Sequence, residues 1–160
     1  MTLGDRLVVM KDGVVQQVDA PDRVYREPAN RFVASFVGTP TMNFIEGRVA
    51  AGGRFEAAEC SLPLPQNHRS TAVGPCTVGV RPDAFVLAER SEETIPCSIE
   101  TVEFLGDRID LVLNASVGRL VCRTTPRAGL AEGDRVFLRW IESGVHLFEP
   151  GSDGARRAGG

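Results

Sequence analysis

The sequence lacks the features that mark membrane, exported and nucleic-acid-binding proteins. No apolar run approaches the roughly 20 residues of a membrane-spanning helix, and no charged segment followed by an apolar one opens the chain. Aromatic residues make up only 6% of the 160 residues and the formal net charge is -3. A nucleic-acid surface needs basic groups and stacking rings. We therefore expect a soluble, unexported protein that does not bind nucleic acid.

Cysteine and histidine are too few and too scattered to indicate a metal centre or a nucleophilic site. No two cysteines show the close spacing of zinc ligands, so we expect four reduced thiols. They are Cys60, Cys76, Cys97 and Cys122. His68 falls in a polar stretch and should be exposed to solvent, and Trp140 should anchor the core or a strand edge. Neither histidine of the chain stands in a recognisable catalytic pattern.

The first 38 residues predict a β-hairpin followed by two short helices. Asp12-Gly13 separates two apolar runs, and glycine accepts the positive φ that a tight hairpin turn demands. Pro21 can open a helix, and a second helix should run from about Ala29 to Val37. Its apolar stripe consists of Phe32, Val33, Phe36 and Val37.

From residue 44 onward, short strands alternate with turns that contain glycine or proline. This spacing predicts a mainly β fold, an antiparallel barrel or sandwich. Residues 63–75 are polar and should form a mobile loop, and residues 150–160 should be a disordered tail. The expected strands are residues 44–50, 54–57, 76–80, 85–88, 95–104, 108–113, 119–124, 135–141 and 145–149.

Four motifs in register resemble the ATP-binding subunits of ABC importers of the maltose and glycerol-phosphate type. They are ANRFVASFVGTPTMNF at 29–44, GVRPD at 79–83, VEFLG at 102–106 and HLF at 146–148. The chain is similar to the C-terminal part of such a subunit. The resemblance implies an OB-like antiparallel β-barrel, called a TOBE domain, preceded by a hairpin and two short helices left from the ATPase domain.

The resemblance also implies boundaries and partners. Residues 1–38 would be the ATPase remnant, 39–43 a linker, 44–149 the regulatory domain and 150–160 the tail. The module would dimerise the ATPase and contact its nucleotide-binding half and the membrane permease subunits. It would be cytoplasmic, peripheral at the inner face of the plasma membrane when assembled.

Several positions carry structural or interface roles by the same resemblance, and none carries a catalytic one. Arg31 and Phe44 would flank the hinge between the two domains. Gly79, Arg81 and Pro82 would form the turn of the barrel motif. Gly106 would form a tight turn between strands, and His146 would be packed in the closing strand.

The chain departs from the family in the residues that perform its chemistry. It contains no Gly-x-x-x-x-Gly-Lys-[Ser/Thr] loop, which would cradle nucleotide phosphates with its backbone. We expect no catalytic, cofactor-binding or metal-binding residue in this chain, because ATP and Mg²⁺ belong to the full-length family.

Two alternative functions and one physical consequence remain open at this stage. An OB-like barrel is compatible with a stand-alone module that binds a small oxyanion such as molybdate, and less so with an oligonucleotide-binding module. The run Leu7–Met10 resembles a strand buried inside a larger domain. We expect it to leave an exposed apolar patch that favours self-association or pairing with the nucleotide-binding half.

Overall fold

Antiparallel sheet dominates the structure, a computed structural model that describes residues 4–151 and 153–157. The N-terminal segment forms a hairpin of β1 (Leu7–Lys11) and β2 (Val14–Asp19), followed by α1 (Pro21–Arg26) and α2 (Arg31–Phe36). The strands that follow are β3 (Asn43–Ala50), β4 (Arg54–Ala57), β5 (Cys60–Pro63), β6 (Gly74–Val80), β7 (Phe85–Ala88), β8 (Ile95–Phe104), β9 (Ile109–Ala115), β10 (Gly118–Thr124), β11 (Arg135–Trp140) and β12 (Val145–Phe148). No helix in the described ranges is long and apolar enough to cross a membrane.

The strands after the linker form two five-stranded antiparallel sheets. One has the order β12-β6-β3-β4-β5 and the other the order β10-β9-β8-β11-β7. Period-two alternation directs Ile109, Leu111 and Leu113 inward, and all three are buried. Apolar side chains from both sheets share one core. The predicted mainly β, OB-like antiparallel fold with two short preceding helices is confirmed.

The buried amide of Asn43 joins the two sheets. Its Nδ2 donates to the carbonyl oxygens of Val80 (3.1 Å) and Val121 (2.9 Å), and its Oδ1 accepts from the Val121 amide (2.7 Å). Val121 lies on β10, an edge strand of the second sheet. The side chain therefore satisfies the amide and carbonyl of Val121, which a sheet edge would otherwise leave unpaired.

The segment 63–75 is an anchored connection, so the expectation of a mobile loop with an exposed His68 is wrong. His68 is 1% exposed at the end of a 3₁₀ turn (Gln66–His68), and Leu64 is fully buried. The amide of Leu64 donates to the Gly53 carbonyl (2.9 Å). Leu64, one apolar residue among many polar ones, holds the segment against the core. The average composition of the segment is polar, so it did not reveal this anchor.

The described part of the tail also has defined partners, which corrects the expected disorder for residues 153–157. Ala155 pairs with Asn30 and Arg156 with Phe148 in isolated β-bridges. The Arg157 guanidinium forms a pair of hydrogen bonds with Glu149 (2.8 and 3.0 Å). Backbone pairing needs no apolar side chain, so a hydropathy argument could not reveal it.

All four cysteines are buried free thiols. Burial raises the pKa of Cys97 and of Cys122 to about 12. Reactive thiolates are therefore disfavoured at these two positions.

We expect Asn43→Ala to lower the free energy of unfolding by about 2–3 kcal/mol, because buried backbone groups of Val80 and Val121 lose their partners. Urea denaturation measures the change. The matched control is Asn114→Ala, an exposed asparagine on β9, which should shift stability by less than about 0.5 kcal/mol. Equal effects of the two substitutions would contradict the bridging role of Asn43.

Candidate interface between the helices and the barrel

The segment Gly79–Ala84 directs one arginine side chain from the barrel toward the N-terminal helices. Pro82 begins a 3₁₀ turn (Pro82–Ala84), and a proline disfavours helical backbone at the residue before it. Arg81 accordingly has extended backbone (φ -64°, ψ 147°) directly after β6. Its side chain is 4% exposed.

Arg81 binds the C-terminal ends of both helices. Its Nη1 donates to the carbonyl oxygens of Ala34 (3.2 Å) and Val37, and its Nη2 donates to the carbonyl of Tyr25 (2.9 Å). The guanidinium also lies over the Tyr25 ring, 4.1 Å from its centroid. The last carbonyls of a helix have no intrahelical partner, and a cation is favourable there.

Burial lowers the pKa of Arg81, but a guanidinium stays protonated in proteins. A buried charge is stable only when it is well paired. Three backbone carbonyls and one aromatic face supply that pairing, so the helices and the barrel depend on one another here.

Gly38 leaves space for this arrangement. Its φ is +110°, and a Cβ built there would lie 3.1 Å from Arg81 Nη1 and 3.3 Å from Tyr25 Cε2. Any other residue would combine backbone strain with crowding of the guanidinium. The Arg81 side chain therefore restricts the position directly before the linker to glycine.

Gly79 allows a second small core to form under α2. A Cβ at Gly79 would lie 2.5 Å from Met42 Sδ and 2.7 Å from a Phe148 ring carbon. Met42 and Phe148 pack with Ala34, and Phe44 adds its half-buried ring. This glycine is needed for close packing of strand β6 against Met42 of the linker and Phe148 of β12.

The structure places Arg31 and Phe44 in direct contact. The Arg31 guanidinium lies 4.8 Å from the Phe44 ring centroid and pairs with Glu46. Glu46 also accepts from the Thr77 hydroxyl (2.7 Å). A charged residue of α2 and an aromatic residue of β3 thus meet across the linker, and their role as flanks of a hinge stays a prediction.

The remaining predicted positions divide between this interface and a distant turn. Pro82 is buried at the start of its 3₁₀ turn. Gly106 occupies the β8–β9 turn with φ +92° and with nothing within 4 Å of a built Cβ, so only its backbone conformation is special. The flanking Phe104 is 74% exposed. Gly106 belongs to the turn and makes no part of the Arg81 contacts.

Sequence reasoning missed the ion pair of Asp110 and Arg123. These residues face each other across β9 and β10, and the guanidinium donates to both carboxylate oxygens (2.7 and 2.6 Å). Arg123 also donates to the Thr39 carbonyl (3.0 Å), which fastens the linker to the second sheet. The sequence did contain a signal for this ion pair, because the acid and the arginine lie at opposed positions of two adjacent predicted strands.

One face of the hairpin is apolar and exposed. Val8 pairs with Val18, and Met10 pairs with Val15 across the two strands. Val8, Met10, Val15 and Val18 are between 38% and 51% exposed, while Val9 between them is buried against the helices. We call these four residues the apolar hairpin face. They form the exposed patch that the sequence predicted.

His146 is buried, as the resemblance implied. Burial, together with the smaller effect of the Arg156 and Arg81 charges, lowers its pKa to about 4. The imidazole is therefore neutral near pH 7. Burial also lowers the pKa of His68.

Two overlapping family models match the chain after α2. A model of the MalK OB fold domain matches residues 38–85, and a model of the TOBE domain matches residues 78–148. The Arg81 segment lies in their overlap.

Curated relatives match nearly the whole chain. The sn-glycerol-3-phosphate import ATP-binding protein UgpC of Salmonella choleraesuis (strain SC-B67) is 38% identical over 98% of this chain, and that of Escherichia coli (strain K12) is 36% identical. The chain spans 44% of the length of each. Their activity is therefore not transferred to this chain by similarity alone.

A solved structure supports the fold. The cytoplasmic molybdate-binding protein ModG, with molybdate bound, superposes with a TM-score of 0.55 at 18% identity, covering 68% of this chain and 96% of that one. At this identity the likeness concerns the fold alone.

We expect Arg81→Met to destabilise the packing of the helices on the barrel by about 2–3 kcal/mol, because carbonyls of Tyr25, Ala34 and Val37 lose their donor. Hydrogen exchange should show faster exchange of α1 and α2 amides, with β8 and β9 amides still protected. The matched control is Arg139→Met on the exposed side of β11, which should leave both regions unchanged. Unaltered protection of the helices in Arg81→Met would refute the coupling.

Acid should destabilise the protein through His146. Its folded-state pKa of about 4 lies below the ordinary 6.5, so the unfolded chain binds a proton that the folded chain rejects. The free energy of unfolding should fall as pH drops from about 6.5 toward 4, by at most about 3 kcal/mol in total. Denaturation at pH 7 and pH 5 should show a smaller difference for His146→Gln than for the parent. An identical pH dependence of the two proteins would contradict this assignment.

Proposed function

Because the chain belongs to the family of TOBE and MalK-type OB domains of sugar-importer ATP-binding subunits, we propose that it is the regulatory and dimerisation module of such a subunit. In this role it works without an ATP site of its own. It transmits contacts between the nucleotide-binding part of the subunit and a partner barrel.

The observation that carries this proposal is the engagement of both helices by Arg81. One side chain of the barrel holds the ends of α1 and α2 together. A displacement of the helices relative to the barrel must break these bonds or move the barrel with them. Such a rigid connection suits a module that follows the position of the nucleotide-binding part.

The apolar hairpin face supplies the surface for that contact. Its four side chains would lie partly in water in the isolated chain, although the hairpin is held firmly by Val9 and the small core beneath it. Exposed apolar clusters of this kind mark protein–protein contacts. The nucleotide-binding part of the subunit is the occupant that we propose, together with permease subunits as further partners at the cytoplasmic membrane surface.

The chain lacks the residues for ATP chemistry. No phosphate loop occurs in its 160 residues, so we propose that it neither binds nor hydrolyses ATP. The oxyanion-binding reading of the whole barrel is not better supported, since ModG resembles it in fold alone.

The proposed role is tested by sedimentation of the purified chain. We expect a reversible dimer, and we expect no ATP hydrolysis above a buffer control. A chain that stays monomeric at all concentrations would overturn the dimerisation role. Measurable nucleotide turnover would overturn the absence of an ATP site.

The apolar hairpin face is tested by Met10→Gln combined with Val15→Thr. We expect weaker binding to a separately expressed nucleotide-binding part of a relative, and less fluorescence of a dye that binds apolar surface, because apolar contact area is removed. Phe104→Gln is the control, an exposed apolar residue at the far β8–β9 turn. Equal loss of binding in the control would show that this face is not the specific contact.

A further inference from the structure

A cleft on the second sheet, far from the Arg81 contacts, has no role in the function proposed above. It has a volume of about 850 Å³. Residues of β8, β9 and β11 line it, together with the turn between β4 and β5 and the connection from β7 to β8. Its surface combines a row of polar side chains, an adjoining apolar pair and a wall held by its own hydrogen bonds.

Strand register places three polar side chains side by side in the cleft. Ser98 of β8 lies opposite Asn114 of β9 on one side and opposite Arg135 of β11 on the other. All three are exposed while the neighbouring Cys97 is buried, so they lie on the face of the sheet away from the core. Because adjacent strands are about 4.8 Å apart, an amide, a hydroxyl and a guanidinium follow one another at short, regular intervals. We call these three residues the polar row.

An apolar pair adjoins the polar row on the same face. Pro96 lies two residues before Ser98, Phe137 lies two residues after Arg135, and the two are opposed across β8 and β11. Residues two apart on a strand share one face of the sheet. Both line the cleft, and Phe137 is half-buried. The cleft thus presents apolar surface directly beside hydrogen-bonding groups.

The connection from β7 to β8 forms a defined wall. The amide of Ser91 donates to the Thr94 hydroxyl oxygen (3.1 Å), and that hydroxyl donates to the Ser91 carbonyl (2.8 Å). The neighbouring Glu93 is paired with Arg54 of β4 (3.3 Å), which ties this wall to the first sheet. These bonds shape the cleft without a ligand, as in most small-molecule sites.

The charged residues of the cleft balance one another. Glu59 and Glu92 are matched in number by Arg90 and Arg135, and all four are exposed. Water and salt screen exposed charges, so the cleft has no strong preference for an anion or a cation. Carboxylates accept hydrogen bonds and guanidinium groups donate them, whereas hydroxyl and amide groups do both. This mixture suits an uncharged ligand with many hydroxyl groups.

We propose that this cleft binds an uncharged sugar in its ring form. A sugar ring carries hydroxyl groups around its edge and C–H groups on its faces. The polar row would exchange hydrogen bonds with the hydroxyl groups, and Pro96 and Phe137 would contact a C–H face. The proposal goes beyond the importer role and does not depend on it.

The test is nuclear magnetic resonance of the backbone amides of the isotope-labelled chain. It is titrated with glucose and with maltose, and in parallel with betaine and glutamine, which have no net charge and no sugar ring. We expect saturable shifts of the Ser98, Asn114 and Arg135 amides with at least one sugar, at a dissociation constant of about 1 mM. Absence of saturation with both sugars, or an equal response to betaine or glutamine, would overturn the proposal.

A charge-matched pair of variants locates the site. Arg135→Gln should weaken sugar binding by about fivefold or more, because a hydrogen bond from a charged donor is lost. Arg139→Gln removes the same charge from an exposed position on the same strand outside the cleft and should change affinity by less than about twofold.

Asn114→Ala provides a second, uncharged test at the other end of the polar row. It should weaken sugar binding by about threefold or more, because a neutral hydrogen-bonding group is lost. Full affinity in both Arg135→Gln and Asn114→Ala, or an equal loss in Arg139→Gln, would refute the site.

Discussion

The guanidinium of Arg81 is the constraint on which the relation between helices and barrel depends. Two six-residue helices are too short to be stable alone, and each has terminal carbonyls that need donors. One buried arginine satisfies carbonyls of both while its own charge is balanced by them. The requirement at Gly38 follows from this centre, because this glycine leaves space for the Arg81 guanidinium and the Tyr25 ring.

The described residues form one large core and two small ones. The large core contains side chains of both sheets, whereas the small ones hold the hairpin to the helices and α2 to the barrel. The small cores bury few side chains, so polar contacts set the geometry between them. Asn43, the Asp110–Arg123 pair and Arg81 each join elements that apolar packing alone would leave free to shift. Directional bonds of this kind fix orientation, which undirected apolar burial does not.

Local patterns predicted most of the fold and few of the site contacts. The Asp12-Gly13 turn and the period-two alternation at residues 109–113 indicated elements that the structure contains, because these signals arise within a few neighbouring residues. Strand β5 was missed because it ends at a proline, which sequence reasoning took as the start of a loop. The depth of His68 and the pairing of Arg156 depend on residues far apart in the chain, to which local periodicity is blind. Family motifs located Arg81, but only coordinates show that it serves two helices.

The tail has a consequence for how the barrel meets other molecules. Strand β12 is an outer strand of its sheet, and the amide of Arg157 donates to the carbonyl of Leu147 (2.7 Å) on that strand. Residues 155–157 therefore act as a cover for a row of backbone groups that could template intermolecular strand addition. Shortening the chain at Pro150 would expose these backbone groups and leave β12 as an unpaired edge strand, to which a strand of another molecule could add.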